Sequence, residues 1–228
     1  MITYITINMS EIDIITDGLV FLVDAASARS YPGSGNTWYD LSGNGDNGTL
    51  TNGPTFNSIG SIDFDGTDDY IDLTSIDNSV FTDEATLIIR LKLDSNIPPT
   101  TESGIFGFTD GAYRSHYVWS NGLAYFDTFR SSRVDSITLS SLDRTTPHML
   151  SITTKGGGDW KLYQNGDNVH TVAAESTVSM GNNYLGVQNP SSFVYTLKGQ
   201  VYNLTLYNKA LTAAEILQNY NAQKNRFI

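Results

Sequence analysis

Along most of the chain, apolar and polar residues alternate over short stretches bounded by Gly, Asn and Asp. That is the pattern of half-buried strands joined by tight turns. Ile62-Asp-Phe64, Tyr70-Ile-Asp-Leu73, Met149-Leu-Ser-Ile-Thr-Thr154, Trp160-Lys-Leu-Tyr-Gln164, Val169-His-Thr-Val172, Tyr184-Leu-Gly-Val187 and Val201-Tyr-Asn-Leu-Thr-Leu-Tyr207 read this way. Ala85 to Leu93 alternates in its second half, and Leu19-Val-Phe-Leu-Val23 is a continuous apolar run suited to a strand buried on both faces. Asn52-Gly53, Asp65-Gly66, Asp110-Gly111, Asn121-Gly122 and Asn165-Gly166 are hairpin dipeptides, because both residues tolerate positive φ. About twelve to fourteen strands at regular spacing predict an antiparallel sandwich or barrel.

One helix interrupts this pattern. Thr212-Ala-Ala-Glu215 is a capping box, and Ile216, Leu217 and Tyr220 follow at helical spacing. Residues 1–17 read as an N-terminal arm that precedes one domain over residues 18–228. The arm alternates through Ile5 and Ile7, resumes with Ile12, Ile14 and Ile15, and ends in the turn Asp17-Gly18. It is either an edge strand of the domain or a segment that pairs with a neighbouring subunit. The polar stretch from Asp24 to Gly48 is long for a loop in a compact domain. Trp38, Tyr39 and Leu41 are its main apolar anchors, and either side chains or a bound ion should pin it.

Composition agrees with an all-β fold. Nineteen of the 24 acids are Asp, a turn and cap residue, and Thr, Ser, Gly and Asn make up 87 of the 228 residues. The net charge of -11 and the lack of basic clusters argue against a nucleic-acid partner. No apolar run is long enough for a membrane-spanning helix, and the first residues lack the pattern of a secretory signal. The chain has no Cys, so it forms no disulfide, thiolate metal site or thiol nucleophile.

Several ordered motifs carry a resemblance. Gly18-Leu-Val-Phe-Leu-Val-Asp-Ala-Ala26, Trp38-Tyr-Asp-Leu-Ser-Gly-Asn-Gly-Asp-Asn-Gly-Thr49 and Ile62-Asp-Phe-Asp-Gly-Thr-Asp-Asp-Tyr-Ile71 come first. Trp160-Lys-Leu-Tyr-Gln-Asn-Gly166, Gly199-Gln-Val-Tyr-Asn-Leu-Thr-Leu-Tyr207 and Asn208-Lys-Ala-Leu-Thr-Ala-Ala-Glu-Ile216 follow. Together, over about residues 18–222, they resemble laminin-G-like domains of the concanavalin A-like superfamily. The resemblance implies a two-sheet antiparallel jelly-roll sandwich with a short C-terminal helix. It implies binding of carbohydrate, protein or calcium, or a structural role. With Ser30-Tyr-Pro-Gly-Ser-Gly35 ahead of the Trp motif, the chain looks especially like domains of phage virion proteins, found in capsid decorations, fibres and tails.

Candidate chemistry divides three ways. Asp40, Asn44, Asp46 and Asn47 place four side-chain oxygens within eight residues, enough to begin a calcium site. Asp63, Asp65, Asp68 and Asp69 form a second such group, and in both places the acids also suit turn capping. Tyr113, Trp119, Tyr125, Asp127 and Arg130 are the richest mixed aromatic and polar patch, fit for stacking on and bonding to a sugar. Period two would also turn alternate members of that patch into the core. The Glu-x-Asp-x-x-Glu strand of related glucanases is absent, and His116, His148 and His170 stand apart, so the chain reads as a non-enzyme.

The expectation is therefore a virion component made in the host cytoplasm. It would partner other virion proteins as a homo-oligomer, a trimer being the form the virion setting suggests, with Ile5, Ile7, Ile12, Ile14 and Ile15 as its assembly contact. A lectin module that binds a surface glycan or receptor is the alternative. A glycan hydrolase is the third reading.

Overall fold

Sixteen strands and one α-helix form among the residues that the computed structural model describes, which are 14–94, 103–106, 115–118, 121, 123–126, 128–129, 136–138, 142–175, 181, 183–188, 191 and 195–226. In chain order the strands are β1 Leu19–Asp24, β2 Thr37–Trp38, β3 Gly48–Thr51, β4 Thr55–Asn57, β5 Ser61–Asp65, β6 Tyr70–Asp72, β7 Glu84–Leu93 and β8 Ser103–Phe106. Then come β9 Ser115–Val118, β10 Leu123–Phe126, β11 Ser136–Thr138, β12 His148–Lys155, β13 Gly158–Gln164, β14 Asp167–Glu175, β15 Tyr184–Leu185 and β16 Lys198–Tyr207, with α1 at Ala213–Gln223.

The strands build two antiparallel sheets. The first runs β14-β13-β12-β7-β16-β5-β4, and β1 pairs with the second half of β16, past the end of β5. The second runs β11-β10-β9-β8-β15-β6-β3-β2. Side chains alternate, so Ile62 and Phe64 of β5, Leu87, Ile89 and Leu91 of β7, and Leu204 and Leu206 of β16 point between the sheets. Trp38, Ile71, Tyr117 and Phe126 meet them from the second sheet. The two-sheet sandwich and its short helix agree with the fold expected from the alternation.

The outer face of the first sheet explains why β7 is buried almost throughout. Ile88 of β7, Met149 of β12, Tyr163 of β13 and Tyr207 of β16 form a second apolar cluster under α1, which contributes Ile216 and Tyr220. The helix starts as expected, with Thr212 and Glu215 closing a reciprocal capping box. Its C-terminal carbonyls meet a cation. The buried Arg90 guanidinium donates to the carbonyls of Gln223 and Lys224 at 3.4 Å, satisfying groups a helix end leaves orphaned.

The turns follow their sequence signals. Asn52 and Gly53 both have positive φ, as do Asn165 and Gly166, which turn β13 into β14. Asp110-Gly111 and Gly122 lie outside the described residues.

Candidate functional site

The loop that reaches Gly48 is pinned by its own side chains. Of the three expected anchors, Trp38 is fully buried and Leu41 half-buried, while Tyr39 is exposed. The Ser30 hydroxyl accepts from Asp24 N–H and donates to the Tyr39 carbonyl at 2.6 Å. Asp40 is the central acceptor. Its Oδ1 takes the N–H groups of Leu22 and Ser42, and its Oδ2 takes the Ser42 hydroxyl and the Gly45 N–H. Asn44 donates to the Val20 carbonyl at 2.6 Å, and Asn47 Oδ1 accepts from Asp40 N–H. The loop so occupies the edge of β1 that β16 leaves unpaired, the protection an exposed strand edge requires. Burial, then the Asp40 and Asp77 carboxylates, hold the Asp46 carboxyl above its ordinary value.

Among the described residues, one set of three acids does converge. Carboxylate oxygens of Asp65, Asp68 and Asp69 lie within 4.8 Å of one another at the turn from β5 into β6. Asp69 is buried and accepts from Asp65 N–H at 2.9 Å. Burial first, and then the Asp65 and Asp68 carboxylates, raise its pKa against that hydrogen bond.

Of the predicted aromatic patch, Tyr125 lies within the described residues, and Tyr113, Trp119, Asp127 and Arg130 lie outside them. Tyr125 sits between the buried Ala124 and Phe126, so it faces outward from the second sheet, and Asn121 donates to its hydroxyl at 2.7 Å. Ile5, Ile7 and Ile12 of the arm are also outside the described residues. Ile14 and Ile15 are within them, and Ile15 joins the cluster under α1. Ile15 N–H donates to Asn219 Oδ1 at 2.8 Å, the Tyr207 hydroxyl donates to the Ile15 carbonyl at 2.9 Å, and Lys209 pairs with Asp17 at 2.8 Å.

A polar pocket that sequence reasoning missed opens where α1 stops covering the first sheet. The outward row Arg90 and Asn203 lies beneath the helix end, where Asn203 donates to Gln223 at 2.7 Å. The next outward row is bare of helix. There Lys92 of β7 stands opposite Gln200 of β16, and Gln200 stands opposite Asp63 of β5. These three side chains, with Phe64, Leu93, Asp94 and Gly199, line a pocket of about 290 Å³. Gly199 permits the close approach of β16 to β7, because a side chain there would meet the Lys92 carbonyl at 2.2 Å.

Asp63 and Gln200 of this pocket are held in fixed directions. Asp63 accepts from the Ser61 hydroxyl at 2.8 Å, from Asn57 Nδ2 at 3.2 Å and from Gln200 Nε2 at 3.5 Å. The Tyr202 hydroxyl donates to Gln200 Oε1 at 2.9 Å, which orients that amide toward Asp63. Burial, and then the Asp63 carboxylate, hold the Tyr202 phenol above its ordinary pKa, so it stays a donor at neutral pH. Asp94 is paired with Lys198 at 3.8 Å. The row thus offers an ammonium donor, an amide and a carboxylate acceptor along one line. A sugar with neighbouring hydroxyls, each both donor and acceptor, matches that array.

The chain's relatives fit this architecture. Residues 65–217 match the laminin G family model described as the concanavalin A-like lectin/glucanases superfamily. No curated protein sequence matches the chain. Among solved structures, Trypanosoma rangeli sialidase in complex with sialic acid superposes with a TM-score of 0.67 at 15% identity, over 92% of this chain and 33% of that one. A T. rangeli sialidase mutant displaying trans-sialidase activity superposes with a TM-score of 0.65 at 15% identity, over 94% and 34%. The receptor-binding domain of a botulinum neurotoxin C/D mosaic serotype gives 0.67 at 15% identity, over 92% and 52%. The chain therefore spans about a third of the sialidases and about half of the toxin domain, and the likeness is one of fold.

These neighbours correct the reading of the chain as a non-enzyme, since its fold recurs within sialidases over about a third of their length. That reading rested on a missing one-strand acid motif. The pocket instead brings two carboxylates, Asp63 of β5 and Asp94 just past the end of β7, to one opening, so the missing motif excludes nothing. With two thirds of its length matched and the two-sheet architecture in place, the chain belongs to the concanavalin A-like lectin/glucanase superfamily.

Proposed function

We propose that this chain is a recognition module that binds the hydroxyl groups of a neutral glycan at the open end of its first sheet, and that it acts on the surface of a phage virion. The observation that carries the glycan reading is the row Lys92, Gln200 and Asp63, aligned across three adjacent strands at the mouth of one pocket. Lys92 forms no ion pair among the described residues, so its amine is available to a ligand. The virion setting is supported by the motif from Ser30 to Thr49, which resembles domains of virion proteins.

A glycan array tests the reading, with hydrolysis products assayed alongside. The wild-type chain should give saturable binding to at least one neutral glycan. Asp63→Asn should weaken it about tenfold or more, the scale of one lost charge-assisted hydrogen bond, and Lys92→Ala should act in the same direction. Tyr125→Ala, on the outer face of the other sheet, should leave it unchanged. Binding that survives both pocket substitutions, or falls with Tyr125→Ala alone, would reject this site.

A second reading, attachment to neighbouring subunits through the N-terminal segment, is favoured by the fixing of Ile15 and Asp17 to the domain. That anchorage holds the residues that directly follow the segment against α1 and β16.

A further inference from the structure

We infer that the outer edge of β14 is the acceptor for a strand donated by residues 3–7 of a second copy of this chain. The inference rests on the second reading above, which it extends by naming the acceptor.

The first sheet ends on β14, and among the described residues no strand pairs with its outer edge. The other sheet termini are two- or three-residue strands, β4, β2 and β11, and the edge of β1 is closed by Asp40, Ser42 and Asn44. β14 has nine residues, and between Asp167 and Glu175 it carries no Lys, Arg, Asp, Glu or Pro, the residues that normally blunt an edge. The apolar layer also runs out to this edge. Val172 packs on the core while half-buried, His170 lies edge-on to Trp160, and Val169 is exposed. Irregularities in the pairing with β13 flank the stretch His170 to Val172, whose register is continuous.

The donor is argued from length and pattern. Thr3-Tyr-Ile-Thr-Ile7 alternates at period two and is uncharged, like the edge it would join. Its own β14 is out of reach. β1 and β14 are five strand spacings apart, and an added strand lies one further, about 29 Å in all. From Ile7 to the anchored Ile14 the chain spans about 24 Å even when fully extended. The donated strand therefore comes from another copy, and each such exchange is a head-to-tail contact that closes only in a symmetric ring or a reciprocal pair.

The cysteine-free chain makes the test direct. In the full chain, the double variant Ile5→Cys/Thr171→Cys should form interchain disulfides on oxidation, whereas Ile5→Cys/Thr55→Cys, aimed at the β4 edge, should not exceed the single-cysteine background. Thr171→Lys, a charge on an exposed position, should reduce the mass by light scattering to that of a monomer while far-UV circular dichroism shows the domain still folded. A disulfide that joins positions 5 and 171 within one chain of the first double variant would overturn the second copy as donor. An oligomer that is lost on removing residues 1–13 but persists in Thr171→Lys, without the disulfide, would overturn β14 as acceptor and leave the assembly reading standing. A full-length chain that is monomeric would overturn both.

Discussion

Asp40 shows how much one side chain settles. Its two oxygens accept four hydrogen bonds that tie the 40–45 turn to the edge of β1. Asp40→Ala removes all four, and we expect a stability loss of about 2–3 kcal/mol by urea titration. Asp40→Asn keeps one acceptor oxygen and should cost less. A loss below about 0.5 kcal/mol for the alanine would mean that the edge is held by something else. His148 adds a pH effect at the same scale. It is fully buried, its Nδ1 donates to the Thr146 carbonyl, and the Tyr117 hydroxyl lies 2.6 Å from Nε2 and 2.8 Å from the Asp143 carbonyl. The Thr146 carbonyl, which can only accept, requires a proton on Nδ1. Burial holds the His148 pKa below its ordinary value, against the pull of the Thr146 carbonyl and Asp143. The unfolded chain then binds the proton more readily. The contribution of His148 is complete above about pH 6.5 and is lost as pH falls from there toward the lowered folded value, with a slope of at most about 1.4 kcal/mol per pH unit. An NMR titration should place the His148 midpoint below about 6.5, and a midpoint at or above it would contradict the account.

Elements were legible in the sequence where a local signal sufficed. The capping box at Thr212 and the Asn165-Gly166 hairpin each state their own backbone geometry. β7 was only half legible. Its alternation is masked because α1 covers the outer face that a sandwich usually leaves to solvent, so Ile88 and Arg90 are buried along with Leu87 and Leu91. The pocket was not legible at all. Lys92, Gln200 and Asp63 each look like a solvated strand residue, and only the register of β7, β16 and β5 puts them in one row. The N-terminal segment makes an element-scale prediction. Ile15 and Asp17 bond to α1 and to the turn before it, whereas residues 1–13 precede those contacts. At protein concentrations where the chain is monomeric, deleting 1–13 should leave the urea midpoint unchanged, while deleting 1–17 should cost about 1–3 kcal/mol for the lost apolar burial and hydrogen bonds. Equal effects of the two deletions would show that Ile15 and Asp17 contribute nothing to the fold.

At the scale of the whole molecule, α1 organises the outer surface. By covering one end of the first sheet it completes an apolar layer there, and by stopping at Gln223 it leaves the other end polar and open. The account's central claim is that this open end is the binding surface. The most direct measurement is an NMR titration of the full chain with a neutral glycan that binds on the array, following the side-chain amide signals. We predict saturable shifts of the Gln200 and Asn57 amides, both of which donate to Asp63, and their loss in Asp63→Asn. Saturable binding that leaves these two amides unmoved would place the ligand elsewhere and contradict the account.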